Sequence, residues 1–206
     1  MEKVLFSTEL NERNLYRIDY LTNKFSKYKD LSDSNILEIG IGNGRFGLLL
    51  GDKFKQYFGI DVDEDYIKLA KENIPESAKI FYKIGDAEKI PFRRRFDILF
   101  YSQSWHFINN FSKAIKQANR VLKDSGIIAI LEPTDKSGGW GDPRLRKDSP
   151  EFSEASYQRK LQDLKKGRNA ILNQKTFEVL EDEFDSNVNS RFYILKKKQK
   201  TLKSPD

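Results

Sequence analysis

Four side chains stand where they can do chemistry: Glu38, Asp61, Asp86 and His106. Three are carboxylates, and a carboxylate accepts hydrogen bonds from hydroxyls, amines and backbone amides. Glu38 lies two residues before Gly40 in the run Asn35-Ile-Leu-Glu-Ile-Gly-Ile-Gly-Asn-Gly-Arg-Phe-Gly47. The apolar start of that run reads as a strand and its end as a helix, with a tight glycine turn between. Glycine lets such a turn close and lets a ligand approach the backbone, while the helix N-terminus that follows attracts an anionic group. Asp61 ends a second apolar run, Gln56–Asp61, and Asp86 follows a third, Lys79–Ile84.

At the end of a second strand a carboxylate can accept from both hydroxyls of a ribose. One at the end of a third strand can accept from the exocyclic amine of an adenine lying beside that ribose. Three carboxylates in a row suit a nucleoside that carries positive charge and no phosphates, and they place a pyrophosphate poorly. Strand-end acids also cap ordinary turns, but three in register with the glycine turn favour a ligand site. Residues Gly42-Asn-Gly44-Arg-Phe-Gly47 also satisfy the dinucleotide pattern G-x-G-x-x-G, which leaves a nicotinamide cofactor as an alternative.

The elements that must hold these residues follow from periodicity. Leu15, Ile18, Leu21, Phe25 and Tyr28 predict one face of a helix from about Glu9, with Ser7 or Thr8 as cap. Asp63 can cap a helix bearing Tyr66, Ile67, Ala70 and Ile74, ended by Pro75. Phe96–Tyr101 reads as a fourth strand, and Ile108, Phe111, Ile115, Ala118 and Leu122 as the face of the next helix. Gly126 then acts as a stop before a wholly apolar fifth strand, Ile127–Leu131. Strands that are apolar throughout, alternating with helices, imply an α/β fold whose parallel sheet is covered on both faces.

Beyond Pro133 the rhythm changes. Thr134–Pro150 is rich in Gly, Pro and charge and reads as a long functional loop. Glu151 to about Lys166 reads as a polar helix with a thin apolar stripe, and Phe177–Phe184 with Arg191–Lys197 as an antiparallel strand pair. We expect a single domain: 1–34 a helix over the ligand side, 35–133 the binding core, 134–175 a lid, 176–197 the closing strand pair and 198–206 a basic tail.

Composition narrows the chemistry. The net charge is +6, but residues 196–206 hold five Lys and one Asp, so the body is about +2. A frayed lysine-rich end is commonly a solubilising one, and charge alone does not make a nucleic-acid binder. Arg93-Arg94-Arg95 reads as a solvated turn ahead of the fourth strand. No apolar run approaches the ~18 residues of a membrane span. The segment MEKVLFSTEL lacks the apolar run of a secretory signal. We expect no membrane contact and a cytoplasmic location.

In order and spacing, the segments ILEIGIGNGRFG (36–47), YFGIDVDEDYI (57–67), GDAEKIPF (85–92), FDILFYSQSWHF (96–107) and ANRVLKDSGIIAILEP (118–133) resemble the class I S-adenosylmethionine-dependent methyltransferases. The likeness is greatest to the group that includes quinone-ring and small-molecule methyltransferases. It implies a doubly wound seven-stranded sheet in order 3-2-1-4-5-7-6 with strand 7 antiparallel. It also implies S-adenosylmethionine as cofactor and S-adenosylhomocysteine as product. By the same resemblance, Gly40, Gly42 and Gly44 hold the methionine part, with Glu38 supporting the loop. Asp61 then holds the ribose, Val62 flanks the adenine, and Asp86 with Ala87 reads its edge. The backbone at Tyr101 and Ser102 faces the methionine end, and Tyr16, Arg17 and Tyr20 are candidates to close that side.

Within the family, residue types exclude several reactions. No cysteine is present, so neither pyrimidine C5 methylation through a thiol nor radical chemistry on a three-cysteine cluster is open. The turn after the fourth strand reads Tyr101-Ser-Gln-Ser104, without the prolines that exocyclic base methylation uses. Glu132 and Asp135 are too few for a metal site of the catechol type, so no metal is expected. His106, the sole histidine, can serve as general base for an acceptor hydroxyl or pack locally. Trp105 is either a wall for the acceptor or plain core. Trp140, Arg144, Arg146, Phe152 and Tyr157 suit a lid over a flat or acidic small molecule, or merely pin the loop. The expectation is methyl transfer to O, N or C of a small molecule. An RNA or protein acceptor, a nicotinamide oxidoreductase and a silent cofactor binder are the alternatives, and the oligomeric state is open.

Overall fold

The computed structural model describes residues 12–134 and 143–198. The expected helix start at Glu9 with its caps, Asp135, Trp140 and the tail beyond residue 198 lie outside them.

Seven strands form one sheet in the order β3-β2-β1-β4-β5-β7-β6, as the resemblance implies. The strands are β1 (Asn35–Ile39), β2 (Gln56–Asp61), β3 (Ile80–Ile84), β4 (Phe96–Ser102), β5 (Leu122–Pro133), β6 (Phe177–Asp185) and β7 (Ser190–Lys197). The first five pair in parallel, and β7 runs antiparallel to both β5 and β6. Residues alternate between the faces. Ile36, Tyr57, Ile98 and Phe100 pack under α1 (Glu12–Ser26), α2 (Arg45–Leu50) and α3 (Glu64–Glu72). Leu37, Phe58, Leu99 and Ile130 pack under α4 (Phe111–Val121) and α5 (Glu154–Asn173). Both faces are therefore covered, which is why these strands are apolar throughout.

Several boundaries differ from the sequence reading for local reasons. Leu15 is exposed, and the inward face of α1 carries Asn14, Arg17, Leu21 and Phe25 instead. Asn110 caps α4 by accepting from the Lys113 amide at 3.0 Å, so Ile108 falls in the turn before it. Gly126 is no stop: β5 already begins at Leu122, which pairs with Phe96 ahead of a register shift. Lys123 holds this extension by donating to both oxygens of Asp97 at 2.9 Å. α5 starts at Ser153, whose hydroxyl accepts from the Ser156 amide, and it runs on to Asn173 because Ile171 is buried against the sheet.

α1 is pinned twice. Phe25 meets Phe100 edge-on at 5.4 Å and also contacts Phe54 and Phe192, geometries worth about 0.5–1.5 kcal/mol beyond area burial. Lys24, Lys27 and Tyr28 all donate to Glu181 on β6. These contacts hold Asn14 and Arg17 over the open edge of the sheet. Among the described residues, no helix is long and apolar enough to cross a membrane.

Candidate active site

The carboxyl ends of the parallel strands open into one cavity of about 1080 Å³, roofed by α1, α5 and the turn Pro143–Leu145. It lies where strand order reverses between β1 and β4, the place where open α/β sheets bind ligands. Its volume slightly exceeds the roughly 300–1,000 Å³ typical of a drug-sized ligand, which leaves room for a cofactor and an acceptor together.

The glycine turn after β1 forms one wall. Gly40, Gly42 and Gly44 have φ of 79°, 53° and 78°, a region side chains disfavour. A Cβ on Gly40 would fall 2.3 Å from that of Ser104, whereas one on Gly42 would meet nothing within 4 Å. Gly40 thus serves the packing of the turn, and Gly42 bares its backbone to the cavity. Asp61 holds the turn: its Oδ2 accepts from the Gly42 amide at 2.9 Å and its Oδ1 from the Asp63 amide at 3.0 Å. Each oxygen keeps a further lone pair for a ligand. Val62 is largely exposed at the rim, Ala87 is buried beside it, and Asp86 is exposed with its Oδ1 on the Glu88 amide at 2.8 Å.

Glu38 is wholly buried beneath the turn. Its two oxygens accept from the Ser102 hydroxyl at 2.6 Å and the Tyr57 hydroxyl at 2.9 Å. Burial pushes its carboxyl up to about 7, against the lowering effect of those hydrogen bonds and of nearby Arg45. The sequence reading has it supporting the loop, and its contacts run to the strands under the loop.

At the other end stand His106 and Glu132, residues that follow or end β4 and β5. His106 Nδ1 lies 2.5 Å from Glu132 Oε2, and Glu132 Oε1 accepts from the Trp105 amide at 3.1 Å. Nε2 of His106 accepts from Nζ of Lys160 on α5. These partners assign the neutral tautomer with its proton on Nδ1. Trp105 is core: its ring meets Tyr101 edge-on at 4.9 Å and its Nε1 donates to the Gly167 carbonyl at 3.0 Å.

Of the expected residues, Glu38 is buried under the turn, and Gly40, Gly42, Asp61, Val62, Asp86, Ala87, Ser102, His106 and Arg17 line the cavity. The expectation at Tyr101 concerns its backbone; its side chain is fully buried on the opposite face of the sheet, because alternation along β4 turns Ser102, not Tyr101, toward Glu38. One expectation is corrected. Tyr16 does not line the cavity. Its hydroxyl donates to Asp185 Oδ2 at 3.0 Å in the β6–β7 turn, and Asn14 and Arg17 face the cavity in its place. Arg93, Arg94 and Arg95 are all exposed, as a solvated turn implies, and Arg94 lies 4.5 Å over the Phe58 ring and donates to Gln56 at 3.1 Å, outside the cavity lining.

The sequence reading missed Asn14, Asn43, Arg45, Arg159 and Lys160 in the lining, and Glu132 as partner of His106. Glu132 was within reach, since β4 and β5 are parallel neighbours with Ser102 opposite Leu131. Residues just past both strands must then meet. Nothing local announces Lys160, which arrives only when α5 folds back. Among the described residues, no three His, Cys, Asp or Glu side chains converge as metal ligands.

A family model described as a methyltransferase domain matches residues 37–130, the stretch that builds the glycine turn, Asp61, Asp86 and His106. Over that stretch the chain is similar to a methyltransferase domain, and its sheet order is the one the resemblance implies. The ubiquinone biosynthesis O-methyltransferase of Pelagibacter ubique is 30% identical over 115 residues, covering 54% of this chain and 48% of that protein. The chain spans about half the length, or less, of the curated relatives it matches. Among solved structures, the PH0226 protein of Pyrococcus horikoshii is 23% identical with a TM-score of 0.64, over 92% of this chain and 93% of that one. The plantazolicin methyltransferase BpumL, solved with S-adenosylhomocysteine, is 13% identical with a TM-score of 0.65, over 90% and 84%. Both structures share the methyltransferase fold. The comparisons give the nicotinamide alternative no support.

Proposed function

We propose that this chain transfers a methyl group from S-adenosylmethionine to a hydroxyl of a small molecule, with His106 as the general base. One observation carries the reading: a single cavity joins the glycine turn and its strand-end carboxylates to a histidine backed by a buried glutamate. The residues fit the cofactor, because the turn bares its backbone at Gly42 and carboxylates, not a phosphate cradle, lie along the rim. The likeness to an O-methyltransferase and to a fold solved with S-adenosylhomocysteine supports the same reading.

The cofactor would supply a sulfonium-activated methyl, so that the acceptor oxygen could bond the carbon as the carbon–sulfur pair went to sulfur. Asp61 would hold the ribose, Val62 would flank the adenine, and Asp86 with the backbone of Ala87 would read its edge. The turn from Gly40 to Gly44 seats the methionine part, with Arg17 and Asn14 closing that side from α1. Glu38 fixes Ser102 and Tyr57 under the turn and so keeps it rigid. At the acceptor end, Nε2 of His106 takes the hydroxyl proton, and Glu132 keeps the ring oriented and stabilises the imidazolium. α5 and the turn Pro143–Leu145 exclude water from that step.

Thermal unfolding with each cofactor tests this. At 100 times its dissociation constant, S-adenosylmethionine should raise Tm by about 5 °C or more, and NAD should not. Stabilisation by NAD but not by S-adenosylmethionine would overturn the reading.

A further inference from the structure

Among the described residues, two that are not glycine take a positive φ, Gln103 at 56° and Asn189 at 51°, and both line the cavity. Asn189 closes the turn between β6 and β7, where asparagine is a common left-handed residue. Glutamine has no such preference, and the left-handed region is costly for it. The chain imposes the conformation as it leaves β4. The Gln103 amide donates to the Leu131 carbonyl at 2.7 Å, and the Ser104 hydroxyl then turns back to the Ile39 carbonyl. Glycine would make the same turn without steric cost. A glutamine held there points to a role for its carboxamide, which has no hydrogen bond among the described residues.

The sheet says what that carboxamide meets. Ile39 pairs with Tyr101, so Gln103 lies just past β4 beside the glycine turn that follows β1. The two turns touch closely, since a Cβ on Gly40 would fall 2.3 Å from that of Ser104. In the proposed reaction the adenine lies over β3, the ribose over β2, and the methyl faces His106. The amino-acid part of the cofactor then lies over β1 and β4, beside Gln103. Arg17 and Arg45 bring positive charge to the glycine turn, which suits its carboxylate. Its ammonium needs acceptors instead. Asp61 and Asp86 stand at the ribose and the adenine, and Glu38 lies beneath the turn, accepting from Ser102 and Tyr57.

We propose that Gln103 is a cofactor-binding residue, whose Oε1 accepts from the ammonium of the methionine part. The proposal rests on the methyl-transfer reading. A carboxamide oxygen accepts two hydrogen bonds and carries no net charge. It therefore orients the ammonium without forming an ion pair with the nearby sulfonium. The strained turn keeps that oxygen at a fixed place between the two ends of the cavity.

Calorimetry on the full chain with S-adenosylhomocysteine and its deamino analogue, in which hydrogen replaces the α-ammonium, tests this. Gln103→Met keeps the bulk and removes the acceptor, whereas Gln103→Gly also relieves the backbone. Each should weaken S-adenosylhomocysteine by about tenfold or more, the usual worth of a hydrogen bond to a charged group. Each should weaken the deamino analogue by less than about threefold, and Gln103→Glu should keep the preference for the ammonium. Without ligand, Gln103→Gly should unfold no more than about 2 °C below the native chain, because the turn suits glycine. Equal weakening of both ligands, unchanged S-adenosylhomocysteine affinity in Gln103→Met and Gln103→Gly, or a larger fall in Tm would overturn the proposal. A native chain that binds neither ligand would overturn the methyl-transfer reading, and this proposal with it.

Discussion

The two ends of the cavity are built on opposite plans. Over β1, β2 and β3 the cavity carboxylates Asp61 and Asp86 come from residues at or within two positions of a strand end, beside Arg17 and Arg45. Over β4 and β5 the charged residues Arg144, Arg159, Lys160 and Asp163 come from α5 and the turn Pro143–Leu145, far along the chain. The first end is fixed by backbone: Asp61 is held by two amides, and the turn by three glycines of positive φ. The second is fixed by side chains meeting side chains, Glu132 to His106 to Lys160. A backbone-built end suits a ligand that never changes, and a side-chain-built end suits one that varies among relatives.

The sharpest way to separate the ends is to damage one and read the other. His106→Asn should lower kcat by about 10²–10⁴-fold, the usual worth of a general base, while S-adenosylmethionine affinity stays within about twofold. Equal losses in both would mean that the two ends are one unit.

Two buried carboxylates extend the comparison to stability. Glu38 is bonded by the Ser102 and Tyr57 hydroxyls, and burial pushes it up to about 7 despite them and nearby Arg45. An acid whose pKa is raised by folding stabilises the fold below its unfolded pKa, and that contribution is lost as pH rises from about 4.5 through 7, here a loss of about 3 kcal/mol. Glu38→Gln removes the titration, so urea unfolding should show the variant gaining on the native chain by roughly that amount between pH 4 and 8. Parallel curves would show that Glu38 titrates elsewhere.

Glu181 is the opposite case. Burial would push it up, but Lys24, Lys27 and Tyr28 outweigh that and hold it down at about 2. Its stabilisation is present above about pH 4.5 and is lost as pH falls toward 2. Glu181→Gln should cost about 2 kcal/mol at pH 7 and flatten the acid limb. Because this clamp carries α1, the variant should also loosen the end lined by Asn14 and Arg17 and leave His106 chemistry unchanged. An acceptor-end defect would break the division.

The same division explains what was legible in the sequence. The strands, the glycine turn, Asp61 and Asp86 were legible because period and turn chemistry are local. The sheet order and cofactor came through the family resemblance, and the structure and comparisons agree. The helix boundaries slipped where a capping residue overrode the apolar spacing, as Asn110 does at α4. Tyr16 was misplaced because the turn of α1 that faces the cavity carries Asn14 and Arg17, polar residues that an apolar stripe does not reveal. Lys160 stayed hidden for the same reason as the rest of its end: its partner is 54 residues away.

The central claim is that the strand-end carboxylates bind the cofactor independently of the acceptor end. Calorimetric titration of S-adenosylhomocysteine into Asp61→Ala, beside the native chain and Lys160→Met, tests it most directly. The account predicts affinity at least about tenfold weaker for Asp61→Ala and unchanged for Lys160→Met. Full affinity in Asp61→Ala would contradict it.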